Sequence, residues 1–149
     1  MARNESDVTL GKRGENPDET IVIAANVVAI APFKTKSQDE FVRWFKENEA
    51  RVHQDPRYNV IHDYVAFAHE KGTDCVESHS VIEVNATVKR SNTPGVMIFQ
   101  YRALACAHPT NKSIVVMLAY SHRYYPEYKD TAFQEKATTV LNSLEFTNR

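Results

Sequence analysis

The stretch Val96–Arg123, VMIFQYRALACAHPTNKSIVVMLAYSHR, decides the fold. It reads as two strands folded back on each other around His108-Pro109-Thr110-Asn111-Lys112, where turn-forming residues interrupt two apolar runs. The second run, Ile114 to Tyr120, is the most apolar of the chain. With His108 opposite Ser113, Cys106 faces Val115, Leu104 faces Met117 and Arg102 faces Ala119. On the other face Ala107, Ala105 and Ala103 oppose Ile114, Val116 and Leu118. Small residues opposite large ones suit a sheet face that receives a helix. A slip of one residue would exchange the faces.

Downstream, His122 to Tyr128 is a link dense in aromatics, and a final helix follows. Thr131-Ala132-Phe133-Gln134 can cap it, Phe133, Ala137, Val140, Leu141 and Leu144 form its apolar stripe, and Leu144 to Phe146 reads as a short closing strand. Upstream, Cys75 to Val88 alternates as a long strand, and Ser91-Asn92-Thr93-Pro94-Gly95 is a turn. Arg57 to His69 alternates too, with Tyr58, Val60, His62, Tyr64 and Ala66 on one face. Between the two, Lys71-Gly72-Thr73-Asp74 is a turn. Ser37-Gln38-Asp39-Glu40 is a capping box that opens a helix carrying Phe41, Trp44, Phe45, Asn48 and Val52 at helical spacing, and Asp55-Pro56 stops it. The bland reading of that aromatic stripe is core packing. Ile21 to Ala31 is a strand ended by Pro32. Residues 1–19 are polar and turn-rich and read as a flexible arm with a short edge strand at Val8 to Leu10.

The order strand, helix, four strands, helix predicts an α+β domain over residues 20–149, with an antiparallel sheet of five to six strands. Length and composition agree. The 149 residues, 42% hydrophobic and 25% charged, suit one globular domain. With 18 basic and 19 acidic side chains the formal net charge is -1, which argues against a nucleic-acid surface. No window reaches the roughly 20 apolar residues of a membrane helix. Met1 to Ser6 is polar, so no signal peptide is read there, and the protein is either cytosolic or lacks a removed leader.

Cys75 and Cys106 are the two cysteines. If the strands flanking the 91–95 turn are paired, residues whose numbers add to 181–185 face each other, and this pair falls in that set. A disulfide here would add about 3–4 kcal/mol in the chain-entropy model and indicate an oxidising compartment. The alternatives are two buried reduced thiols or, least favoured, a catalytic thiol paired with His108.

No motif for catalysis or a cofactor stands out. The histidines His53, His62, His69, His79, His108 and His122 form no H-E-x-x-H and no closely spaced Cys/His set, so no metal site is expected. Ser121-His122 lacks a nucleophile elbow. No cofactor and no catalytic residue are assigned. The candidate interaction surface is the aromatic link, with His122, Arg123, Tyr124, Tyr125 and Tyr128, because Tyr and Arg are frequent interface anchors. The bland alternative is that these tyrosines lie against the sheet edge and fix the last helix.

The C-terminal third carries a family resemblance. A strand ending Ala119-Tyr120-Ser121-His122-Arg123, a Tyr-rich link, and a helix from Phe133 closed by Ser143-Leu144-Glu145-Phe146 resemble the ending of Mog1/PsbP-like domains, over roughly residues 96–146. The resemblance implies an α/β/α sandwich and an accessory or binding role, as in small bacterial lipoproteins and periplasmic proteins. The lipid-bearing cysteine of a lipoprotein is missing, so a lipid anchor would require a trimmed leader. The expected function is a non-catalytic accessory or protein-interaction domain of an exported bacterial protein, in the periplasm or cell envelope, with another protein as partner. The alternatives are a cytoplasmic location and a small hydrophobic-ligand carrier of helix-grip type, with Phe41, Trp44, Tyr64, Phe99 and Tyr101 lining its pocket.

Overall fold

The structure, a computed structural model, describes residues 7–31, 35–85 and 88–147. Six strands form one antiparallel sheet: β1 (Val8–Arg13), β2 (Thr20–Ala29), β3 (Tyr58–Glu70), β4 (Thr73–Val84), β5 (Met97–Ala107) and β6 (Ile114–Tyr124). Their spatial order is β1-β2-β6-β5-β4-β3. Helix α1 (Gln38–His53) follows β2 and covers one face, and α2 (Phe133–Asn142) covers the other. This is the expected α+β sandwich. The hairpin of β5 and β6 forms its middle, and β1 and β3 are its edges.

The hairpin register differs from the expected one by a single residue. Cys106 faces Val116, Leu104 faces Leu118, and Ala103, Ala105 and Ala107 face Ala119, Met117 and Val115. The turn causes the slip. The Asn111 carbonyl accepts from the Ile114 amide and its side chain accepts from the Ser113 amide, so Ser113 belongs to the turn and His108 pairs with Ile114. The alanines still receive a helix. Phe41 and Phe45 of α1 are buried against Ala103, Ala105, Ala107, Val76 and Val115. Burying two phenylalanines contributes about 1.5–3 kcal/mol each.

Ser37 caps α1 as read, its hydroxyl accepting from the Glu40 amide at 3.2 Å, while the Glu40 carboxylate turns to Arg43 at 3.9 Å. The expected Thr131 cap of α2 does not form; Ala132 is the N-cap residue without a side-chain cap, and Asp130 before it accepts from the Ala132 amide at 2.8 Å and from Lys136 at 2.6 Å. Residues 144–147 carry no strand. Strand β4 ends at Val84. Its expected continuation through Ala86 and Thr87, the Pro32 stop and the Val52 side chain lie outside the described residues.

Two local devices set the β3–β4 pairing. Lys71 (φ 56°) and Gly72 (φ 73°) form a two-residue hairpin turn in which Glu70 pairs with Thr73. A bulge between Val60 and His62 then breaks the strict alternation read for β3, so Val60 pairs with Ile82 and His62 with Val81.

Residues 8–19 do not form the flexible arm expected from their polarity. β1 pairs with β2 along its whole length, from Val8–Ala25 to Arg13–Thr20. Asn16, Asp18 and Glu19 of the connecting turn are buried. Polar residues are buried here because they are hydrogen-bonded. Asp18 accepts from the amides of Arg90 and Ser91, from the Ser91 hydroxyl at 2.5 Å and from the Tyr125 hydroxyl at 2.6 Å. It joins three segments distant in sequence. The Ser91 hydroxyl first, then that of Tyr125, hold the Asp18 carboxyl down from 3.8 to about 2, against the opposing effect of burial.

A carboxylate held below its unfolded value stabilises the fold above that value, and the contribution disappears as it is protonated. The Asp18 contribution is therefore complete above about pH 4 and lost as pH falls through about 2. Chemical denaturation from pH 5 to 2 should show a steeper loss of stability for the native chain than for Asp18→Asn. Parallel curves would show that the lock has no such role.

Cys75 and Cys106 are direct cross-strand partners on β4 and β5, with sulfurs at disulfide distance, 2.12 Å. Closing this link covalently should stabilise by about 3–4 kcal/mol relative to the reduced chain. Intact mass under non-reducing conditions should show no alkylatable thiol. Two free thiols in freshly purified native protein would contradict the bond.

Candidate functional site

The one-residue register places Tyr120, His122 and Tyr124 on the α2 face, beside Leu118 and Val116. α2 packs straight onto this face. Phe133 lies 5.3 Å from the Tyr120 ring, and Ala137 and Leu141 are buried below the helix. Among the described residues, α2 thus leaves no helix-grip cavity beneath it. The open space is beside it, because α2 lies over β6 and β5, covers β2 only in part and leaves β1 exposed.

That space is a groove of about 610 Å³ between α2 and the ribbon. Ile21, Ile23 and Tyr120 line it from the sheet, Leu10 from β1, and Thr139 and Val140 from α2. Val8 and Leu10 are exposed apolar residues at its outer side. Lys12 and Lys136 border it and also border an adjoining polar recess of about 530 Å³. The two spaces share Ile21 as well, so they form one trough, apolar at one end and charged at the other. Asp130 pairs with Lys136, and that lysine first and foremost holds the Asp130 carboxyl below its usual range.

The inner wall of the polar recess contains a buried His–Glu contact. His122 Nε2 lies 2.5 Å from Glu19 Oε1, and both side chains are almost wholly buried. His122 Nδ1 is buried without a hydrogen-bond partner. Glu19 reaches this position only because residue 14 has no side chain. A Cβ on Gly14 would stand 2.0 Å from Glu19 Cδ.

The five residues of the aromatic link are dispersed. His122 and Tyr128 line the recess. Tyr124 is buried and donates to Gln100 at 3.0 Å. Tyr125 is fully buried and holds Asp18. Arg123 points to the opposite side of the strand and donates to the Asp18 carbonyl at 3.4 Å. Two of the three tyrosines thus serve the interior, and only part of this link is accessible. The aromatic set Phe41, Trp44, Tyr64, Phe99 and Tyr101 does not line the groove. Phe41 belongs to the core under α1, and Phe99 and Tyr101 pack on each other at 5.5 Å.

His108 accepts from the Thr110 amide at 3.2 Å and acts as a turn residue, while Cys106 points to Cys75. His79 bonds to Gln100 at 3.0 Å, and burial pushes its pKa down. One set of possible metal ligands comes together among the described residues: Glu49, His53 and Asp63. The spacing Glu49-x-x-x-His53 was visible in the sequence as two ligand types on one helix face, but their third partner arrives from another element.

The fold and its trough define an α/β/α sandwich with a peripheral groove. No family model matches the chain, and no curated protein matches it. Among solved structures it is similar to the solution structure of cyanobacterial PsbP (CyanoP) from Synechocystis sp. PCC 6803. Identity is 14%, the match covers 93% of this chain and 81% of that one, and the TM-score is 0.45.

Gly14→Ala should expel the Glu19 carboxylate and leave His122 buried without its partner. The expected loss is about 1–3 kcal/mol in urea denaturation. A change under about 0.5 kcal/mol would show that Glu19 and His122 do not depend on each other.

Proposed function

We propose that this chain is a non-catalytic accessory domain that works outside the cytoplasm and binds another protein through β1 and the groove beside α2. The observation that carries this is the combination of a free sheet edge with an apolar trough along it. Among the described residues no strand pairs with the outer side of β1, and Val8 and Leu10 are exposed there. An extended partner segment can add to such an edge, its backbone bonding to β1 and alternate side chains entering the groove over Ile21 and Ile23. The opposite edge, β3, is interrupted by its bulge, a usual protection against pairing. Tyr128, the part of the aromatic link that lines the polar end, extends the surface there. The cross-strand cysteine pair supports an oxidising compartment.

A photo-cross-linking residue at position 10 should join one defined protein in cells, and the same residue at Lys46 on α1 should not. Leu10→Asp in an otherwise native chain should weaken the isolated complex at least about tenfold, the effect of roughly 1.4 kcal/mol. Equal labelling from both positions, or an unchanged affinity, would refute this surface.

The groove volume favours one second reading, a carrier of small hydrophobic ligands. A solvent-sensitive dye that saturates at one site and is displaced by a fatty acid would support the carrier. Dye that fails to saturate would remove it.

A further inference from the structure

On the α1 face, away from the groove, a row of polar side chains crosses three strands. The Lys71-Gly72 turn aligns Asp63 of β3 with Ser80 of β4, and the β4–β5 pairing aligns Ser80 with Tyr101 of β5. The end of α1 lies over this row and brings down Glu49 and His53, one helical turn apart. Glu49 is buried, at 8% exposure. One donor atom from each of Glu49, His53 and Asp63 lies within 4.8 Å of the other two.

The hydrogen bonds leave one free atom on each of the three. The Tyr101 hydroxyl donates its single proton to Glu49 Oε1 at 2.8 Å. Glu49 Oε2 is buried with no partner in bonding geometry, and so is the hydroxyl of Ser78, which lies close enough to act on the Glu49 carboxyl. Because that proton is spent, the Tyr101 oxygen can only accept from His53 Nε2, 3.3 Å away, which places the proton of a neutral imidazole on Nε2. His53 Nδ1 then directs a lone pair at Asp63 Oδ2, 3.7 Å away. The Ser80 hydroxyl donates to Asp63 Oδ1 at 2.7 Å, so Oδ2 is the oxygen left over. Three bare acceptors facing one another repel, unless a cation or an added proton lies between them. Burial, with the charge of Asp63 adding and the Tyr101 bond opposing, pushes the Glu49 carboxyl up.

We propose that Glu49, His53 and Asp63 bind a first-row divalent cation, with Zn²⁺ the best fit, through Glu49 Oε2, His53 Nδ1 and Asp63 Oδ2. One imidazole and two carboxylates are a regular zinc donor set, whereas Ca²⁺ and Mg²⁺ favour oxygen donors alone. Bond lengths of about 2.0–2.2 Å need the donors to draw together by about 1 Å, a side-chain adjustment. Tyr101 and Ser80 are positioning residues, since each holds a ligand by its other atom. Asp63 is partly exposed and gives the ion a route from solvent. Three protein donors leave a coordination position for water or for a donor from a partner.

The test is isothermal titration calorimetry of the full chain with ZnCl₂, and with MgCl₂ in parallel. One zinc site is expected, with no comparable magnesium site. His53→Gln, Asp63→Asn and Glu49→Gln should each weaken it at least about tenfold. His69→Gln should leave it unchanged, although His69 and Asp74 form an exposed pair at 3.2 Å. Nitrogen-15 spectra of the imidazole rings in the native chain give a readout that needs no variant. The His53 Nδ1 signal should shift on zinc saturation. No binding at 1:1 zinc, binding that survives all three substitutions, or a shift confined to other histidines would overturn the proposal. In those cases the cluster is held together by a proton instead.

Discussion

Most of the structure depends on how β5 pairs with β6. That pairing gives each face of the sheet its character, and both helices pack according to it. On one face Ala103, Ala105 and Ala107 stand beside Val115, Met117 and Ala119, and their small volume lets the Phe41 and Phe45 rings of α1 approach the backbone. On the other, Leu104 and Cys106 stand beside Leu118 and Val116 and meet Leu141 of α2. Interiors pack at near-crystalline density, so exchanging the faces of either strand would leave voids on one side and clashes on the other. The extra turn residue at Ser113, held by Asn111, is the small local cause of this arrangement.

The same pairing explains why polar groups occur in two separate places. His122 faces the α2 side because Tyr120 and Leu118 do, and it meets Glu19 from the turn after β1. Tyr101 faces the α1 side because Ala103 does, and it meets Glu49 and His53. Each location combines residues far apart in the chain, and each leaves one polar atom unsatisfied, His122 Nδ1 in one and Glu49 Oε2 in the other. Among the described residues Ser78 Oγ and Arg123 Nε are also buried without a partner, and because buried polar atoms are normally paired, these four are the informative exceptions. The outer ribbon is different. Its outer strand exposes Val8 and Leu10 together with Lys12 and Arg13, and α2 covers it only in part.

Much of this was legible in the sequence because it rests on local rules. Period-two alternation, the Ser37 capping box, the Lys71-Gly72 turn and the stripe led by Phe41 and Phe45 each depend on neighbours a few residues away. The facing of Cys75 and Cys106 was legible too, because one turn and antiparallel pairing suffice to align them. These features determine an α+β sandwich with a central hairpin. The tertiary structure alone decided the rest. Residues 8–19 look like an arm by composition, and only the distant partners of Asp18 and Glu19 bind them into the domain. The tyrosines of the link look like surface anchors, and only the position of Asp18 makes Tyr125 an interior residue. The groove and the Glu49–His53–Asp63 cluster arise where a helix ends over particular strands. Side-chain spacing along one element cannot encode that, because the distance between elements is set by packing across the whole sheet.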